Sequence, residues 1–513
     1  MAENHSAKAK LPQFPEPYWR DAKGLPSFPK LNYDIKVETA IIGGGISGIT
    51  TAYLLAKEGV KVALIDAGTL LNGTTGHTTA KITAQHDLIY HELMQTIGKE
   101  QAALYYQANT NALHFIKNTV AEHKIECDLT EEDAYIYTNS EEYVSKLHDE
   151  FTSYQEIGID SEYVESIPLP LQTKAAIVMK KQAQFHPVAY LFSLVRFITE
   201  AGGAIYENTT AVDIEEGSQP KIITREGHTI TCDNAIICSH FPFYDGSGFY
   251  FSRMYAERSY VLGIKIKQDY PGGMYLSAEN PKRSLRYTMM NGEKLVLLGG
   301  ESHKAGQGIC TFKHYEALQA FGAETFDIKE IPYRWSTQDL ITLDKIPYIG
   351  RLTSNSPNIF VATGYRKWGM TNGTTAALLL KDLIAQRDNP YAELYSPSRF
   401  NADPSVKNFI VQNADVAKHL IIGKLEVVFT KAEDLSNDEG AVVTVNGKRA
   451  GAYKDRNGTL HLVDTTCTHM GCEVEWNDGE RTWDCPCHGS RFSVDGDVIE
   501  GPAEQPLKKV EEE

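Results

Sequence analysis

The sequence predicts an α/β body built on a buried parallel sheet, followed by a small all-β domain. Three observations carry this. An apolar strand, Thr39-Ala40-Ile41-Ile42, runs into Gly43-x-Gly45-x-x-Gly48, a helix and a second strand. After about Gly423 the texture changes to short alternating strands separated by turns such as Asn446-Gly447 and Asn457-Gly458. Inside that second region lie two Cys/His doublets, Cys467-x-His469 and Cys485-x-x-His488, separated by fifteen residues.

Length and composition agree with more than one domain. At 513 residues the chain exceeds one ordinary core, and roughly two to four domains are expected. With 42% hydrophobic and 23% charged residues it has the balance of a globular protein. A formal net charge of −17 argues against nucleic acid or anionic membrane as a main partner, because both require clustered Lys and Arg. No apolar stretch is long enough to span a bilayer, and the N-terminus has no secretory h-region, so the expected address is the cytoplasm. There, clustered cysteines read as metal ligands before they read as disulfides. Four of the eight cysteines fall between 467 and 487; Cys127, Cys232, Cys238 and Cys310 are scattered and read as small core hydrophobes.

In chain order, residues 1–36 read as an extended arm with five prolines, tied down by Phe14, Tyr18, Trp19 and Phe28. Residues 37–390 read as the α/β body, with helices over 87–122, 188–201 and 374–386 and a β-rich stretch over 204–300. Residues 391–423 read as a linker and 424–513 as the all-β domain. In the glycine motif, Gly43 permits a tight turn, Gly45 lets backbone approach a pyrophosphate, and Gly48 lets helix and strand pack closely. Ser47 opens the helix, whose positive N-terminus would take the phosphates. The second strand, Lys61 to Ile65, ends at Asp66, placed to accept from a ribose. These features specify a dinucleotide and do not choose NAD over FAD.

Resemblance makes that choice. Residues 37–390 resemble the D-amino-acid-oxidase-like flavoproteins, which include glycine and sarcosine oxidases. The resemblance rests on Gly73-Thr74-Thr75-Gly76-His77-Thr78-Thr79-Ala80, on Phe185-His186-Pro187, on Thr210-Ala211-Val212, on Asp344 to Gly350, and on Ile359 to Gly364 leading into Trp368-Gly369-Met370-Thr371. It implies a Rossmann-like FAD domain with a β-rich substrate subdomain. It further implies that Thr74, Thr75 and His77 lie along the flavin, that the Val212 backbone meets the adenine, and that Gly364 and Trp368 to Thr371 face the flavin pyrimidine edge. His77 falls where some relatives carry a histidine bonded to the flavin; hydrogen bonding near the ring is the alternative. Lys367 in the edge turn is a candidate for stabilising reduced flavin or an anionic substrate, and His77 is the second catalytic candidate. Tyr333, Arg334 and Trp335 are candidates for the substrate pocket.

Two thiolates and two imidazoles on two loops suit a [2Fe–2S] centre with Cys467 and Cys485 on one iron and His469 and His488 on the other. The same four residues suit a structural zinc site. The flanking residues favour iron. Cys-Thr-His-Met-Gly-Cys and Cys-Pro-Cys-His-Gly-Ser resemble the Rieske domains of the cytochrome bc and b6f kind. That resemblance implies a disulfide between Cys472 and Cys487. It also implies a Ser490 hydroxyl bond to the cluster. High-potential members carry a tyrosine where this chain has Phe492, so a lower potential is implied.

The pairing resembles bacterial FAD-dependent oxidoreductases that carry a C-terminal Rieske domain. It implies dehydrogenation of a small amine or amino acid, with electrons leaving singly through the cluster to a soluble or membrane-bound acceptor. Two alternatives stay open: the cluster feeds the flavin for a reductase or monooxygenase reaction, or the chain is a non-catalytic redox sensor.

Overall fold

A computed structural model describes residues 9–21, 26–308, 310–399, 402–425 and 430–511. At its centre, strand Thr39–Ile42 is buried at all four positions, as a strand covered by helices on both faces must be. It pairs in parallel with Val62–Ile65 on one side and Asn234–Ile237 on the other. Ala204–Tyr206 and Ile359–Thr363 extend the sheet, and Tyr348–Arg351 closes it as an antiparallel sixth strand. The helix Ile46–Lys57 leaves the glycine turn and packs against helices Gly369–Ile384 and Pro187–Glu200. The last of these begins with Pro187 at its first turn, where the missing N–H costs nothing, and the His186 ring accepts from Ala189 N–H.

The substrate half is a mixed nine-stranded sheet. Its longest members are Met254–Ile266 and Ile328–Thr342, paired antiparallel along most of their length. The β-rich region expected over 204–300 therefore runs on to 342. The helix expected over 87–122 is two helices, Tyr90–Ile97 and Lys99–His123, broken at Gly98 with φ +86°. Helices were also expected over 188–201 and 374–386; the structure has Pro187–Glu200 and Gly369–Ile384, the latter starting five residues earlier.

The stretch 391–423, expected as a linker, contains a short helix, Ala392–Tyr395, and most of a longer one, Ala402–Leu425. Beyond it come a three-stranded antiparallel sheet (Glu439–Val445, Lys448–Lys454, Leu460–Val463) and a four-stranded one (Glu475–Asn477, Thr482–Asp484, Arg491–Phe492, Val498–Glu500). The Asn446-Gly447 turn uses positive φ at both residues, the geometry that matches strand twist in a two-residue hairpin.

The all-β domain is fastened to the substrate sheet by buried charge. Arg258, 1% exposed, donates to Glu500 Oε2 (2.7 Å), Ser336 Oγ and Gln338 Oε1, with Asp484 3.8 Å away. Arg334, fully buried, donates to the backbone carbonyls of Gly479, Pro12 and Gln13. The arm thus lies between the two domains. There Phe14 sits under the Arg456 and Arg481 guanidiniums, although its own ring is 52% exposed. Trp19 is fully buried and donates to Thr78 O.

Candidate functional site

A cavity of about 1410 Å³ opens at the C-terminal end of the parallel sheet. The glycine turn forms its floor. A Cβ on Gly48 would stand 1.9 Å from Gly43 O, and one on Gly43 would stand 2.4 Å from Cys238 O, so both positions need glycine for close backbone approach. A Cβ on Gly45 would meet only Thr75 Oγ1, and that open side belongs to a cavity-lining residue. The helix beginning at Ile46 has no side-chain cap, leaving its positive end available to an anion. Asp66 accepts from Gly44 N–H (2.7 Å) and Gly68 N–H (2.8 Å) and retains lone pairs for a ribose. Two buried polar atoms on the wall, His240 Nε2 and Arg366 Nη1, have no partner among the described residues. Volume, open helix end, acid and orphaned atoms all fit a bound dinucleotide.

Most residues expected at the flavin line this cavity: Gly43, Gly45, Ser47, Asp66, Thr74, Thr75, His77, Trp368, Gly369 and Met370. Ser47 Oγ donates to Tyr365 Oη, and Thr75 Oγ1 accepts from Ile46 N–H, so the segment 74–77 is pinned to the helix start. His77 Nδ1 lies 2.9 Å from Gly73 O and must donate to it. Burial holds the ring below its ordinary pKa, so Nε2 carries no proton.

The remaining expectations shift. Thr210 and Ala211 line the wall where Val212 was expected; Val212 is one residue past it on the strand. Thr371 is buried away from the cavity, bonded to Thr83 O and His86 Nε2. Gly364, at φ +79°, serves the strand-to-helix turn, where a Cβ would meet Thr342 at 2.4 Å. Of the three residues expected to line the substrate pocket, only Trp335 does. Arg334 is an interdomain tie, and Tyr333 donates to Asp21. Cys127 and Cys232 are core residues, but Cys238 lines the cavity, and Cys310 is exposed and donates to Asp478. Lys367 lies on the wall and is neutralised by Asp339 (3.3 Å) and Glu257 (3.5 Å).

The edge turn has a support that the sequence did not advertise. The Trp368 ring stacks on His86, centroids 4.9 Å apart and planes at 14°. His86 is fully buried between Tyr105 Oη, which donates to Nδ1, and Thr83 O, which accepts from Nε2. Burial and the Arg366 charge hold its pKa to about 3.

In the all-β domain the two loops bring Cys467, His469, Cys485 and His488 together. The histidine rings lie 5.0 Å apart at 89°, and His488 Nδ1 is buried with no partner among the described residues. Backbone N–H groups of His469 and Met470 point at Cys467 Sγ, and those of Cys487 and His488 at Cys485 Sγ. Such donors stabilise thiolate. Cys472 and Cys487 are joined in a disulfide, so of the three sulfurs clustered within 4.8 Å only Cys485 is free to bind metal. Ser490 also donates to Cys467 and accepts from Ala503 N–H. Phe492 is wholly buried in the core under these loops.

The two sites share walls. Val498 to Glu504 of the all-β domain line the flavin cavity. Phe241, also on its wall, lies 6.4 Å from the His469 ring, and Phe251 lies 6.2 Å from His469 and 5.9 Å from His488. Contact here is tight enough to require glycine: a Cβ on Gly306 would stand 2.5 Å from the Cys485 carbonyl carbon, and one on Gly489 2.6 Å from Ala256 Cβ.

Residues 38–383 match the FAD dependent oxidoreductase family (DAO), and residues 426–511 match the Rieske [2Fe-2S] domain. The chain belongs to that oxidoreductase family and carries FAD together with a [2Fe–2S] cluster. One relative is the Rieske 2Fe-2S iron-sulfur protein YhfW of Bacillus subtilis (strain 168), to which the chain is 55% identical over 511 residues and the full length of both chains. Among solved structures, glycine oxidase from Geobacillus kaustophilus shares the fold at TM-score 0.57 and 19% identity, over 71% of this chain and 99% of that one. L-proline dehydrogenase from P. horikoshii does so at 0.59 and 17%, over 72% and 98%.

His86 gives this site a pH dependence. The unfolded chain protonates it near 6.5, whereas the folded ring stays neutral to about 3. The unfolded state then binds more protons, so stability falls as pH drops from 6.5 toward 3, by about 1.4 kcal/mol per pH unit. Urea unfolding of His86→Gln is expected to show a slope against pH flatter than wild type by that amount; an unchanged slope would show that the ring is not held neutral.

Proposed function

We propose that the chain dehydrogenates a small amine or amino acid in the cytoplasm and delivers the electrons to an external acceptor through its own cluster. When bound, FAD takes two electrons from the substrate carbon and the [2Fe–2S] group passes them on singly. One observation carries the reading: the all-β domain walls the flavin cavity with residues 498–504, and its His469 ring meets Phe241, which lines the same cavity. A domain serving only to stabilise the fold has no need to present its metal-binding face there.

The chain's residues then have distinct duties. The glycine turn, the Ile46 helix end and Asp66 hold the dinucleotide; the turn Trp368 to Met370, backed by His86, shapes the flavin edge. Cys467, His469, Cys485 and His488 hold the cluster, and the disulfide ties their loops. His488 is 5% exposed and His469 is half-buried beside Met470, itself 46% exposed, so the acceptor approaches on the His469 side. The family fold, shared with glycine oxidase and L-proline dehydrogenase, supports C–N oxidation.

Rapid mixing of the loaded protein with amines and amino acids is expected to bleach flavin absorbance first and raise the cluster's EPR signal second. If a one-electron donor fills the cluster and then the flavin while every amine is inert, the direction is reversed. Phe492→Tyr, which adds a hydroxyl donor under the cluster loops, is expected to raise the cluster's reduction potential in an EPR-monitored titration. An unchanged or lower potential removes Phe492 as the tuning residue.

A further inference from the structure

Four lysines line the cavity. Lys282 is paired with Asp87, Lys345 with Glu92, and Lys367 with Asp339 and Glu257. Lys81 has no carboxylate partner among the described residues. Its Nζ donates to Tyr275 O (3.0 Å) and to Ser284 Oγ (2.7 Å), both neutral acceptors, and the residue is part of the cavity wall. A second cation lies close by. Arg286, 1% exposed, donates to the carbonyls of Tyr287 and Phe185 and covers the Trp19 ring, and its Nε has no partner among the described residues. Neither cation has a carboxylate within ion-pair distance among the described residues, although Glu132 is near enough to raise the Arg286 pKa; such cations are costly in a buried wall unless an anion completes the site.

We propose that Lys81 is the carboxylate-binding residue of the substrate pocket, with Arg286 behind it as a fixed positive charge, and that the substrate is therefore an amino acid rather than a plain amine. The inference rests on the amine-or-amino-acid reading above and narrows it. Lys367, the candidate cation in the edge turn, is already neutralised by two acids and has little charge left to offer. A carboxylate placed at Lys81 also leaves the substrate nitrogen and its carbon free to face the rest of the cavity.

The charge state of Lys81 supports the assignment and supplies the test. Burial first, and Arg286 second, hold its ammonium down to about 7. The strands beside it bring Tyr275 and Tyr135, both pushed upward by burial and so uncharged, and Arg286, on which Glu132 acts; the Asp87–Lys282 pair and the Lys367 triad with Glu257 and Asp339 lie elsewhere on the same cavity wall, each neutralised. A bound carboxylate favours the charged lysine. Affinity is therefore full below pH 7 and falls by about tenfold per pH unit above it.

Acetate, which cannot be oxidised at a C–N bond, is the probe. Titrated into the FAD-loaded full-length protein, it is expected to perturb flavin absorbance saturably, with that pH profile. Lys81→Met is expected to weaken acetate about 10- to 100-fold. Lys81→Arg is expected to keep the binding and lose the pH break near 7. No acetate binding, or acetate binding unchanged in Lys81→Met, overturns the proposal. So does a lowered flavin reduction potential in Lys81→Met with unchanged acetate affinity, which would assign the lysine to the flavin's own negative charge. A parallel panel separates the two levels. Glycine reducing the flavin while methylamine does not supports the proposal; methylamine alone doing so overturns it and leaves amine dehydrogenation standing. If no compound of either class reduces the flavin, it is the broader reading that fails.

Discussion

The arrangement depends on Arg258. It lies on the long strand Met254–Ile266 of the substrate sheet, is buried, and bonds Glu500 of the all-β domain. Burial alone would raise the Glu500 pKa, but Arg258 and Arg491 outweigh it and hold the carboxyl to about 2. Breaking such a pair by removing one partner costs about 3–5 kcal/mol, a large part of the ~5–15 kcal/mol that holds a domain folded. Arg491, Glu480 and Tyr315 extend the network, and Arg334 draws in the N-terminal arm. Small polar interfaces let domains swing; this one is closed by buried charge and by glycines at van der Waals contact. The cluster loops are held in one place.

That fixity brings two chemistries together. The strand leaving the parallel sheet at Ile237 continues through Cys238 to Phe241 along the cavity wall and there meets the ring of His469. Residues 498–504 return the favour from the other side. The substrate cavity is thus a product of both domains. Its charge is balanced at Lys282, Lys345 and Lys367 and left unbalanced at Lys81, the pattern of a wall that expects a carboxylate.

Local signals in the chain carried the fold class, the dinucleotide turn and the Cys/His loops. Gly43, Gly45 and Gly48 announce a backbone approach because each spacing is set by the neighbouring peptide, and Cys472 and Cys487 sit in a motif whose flanks are specific. What depends on distant pairing was not legible. Nothing near Tyr333-Arg334-Trp335 says that Arg334 turns toward Gly479 while only Trp335 faces the cavity. Lys81 reads as an ordinary strand residue until Lys282, Lys345 and Lys367 are seen to have taken the acids. Helix Gly369–Ile384 begins five residues before its apolar periodicity suggested, because Trp368 is held by stacking on His86 rather than by a capping side chain. Cys310, predicted to be buried, is drawn to the surface by Asp478 of the other domain.

In this arrangement the two redox sites form one rigid unit. Photoreducing the flavin of the loaded protein and timing the appearance of the reduced cluster, at rising concentrations of sucrose, tests it directly. A docked domain predicts a rate independent of solvent viscosity and of protein concentration. A rate that falls in proportion to viscosity would mean that the all-β domain must travel to collect its electron and that the two sites are not rigidly joined.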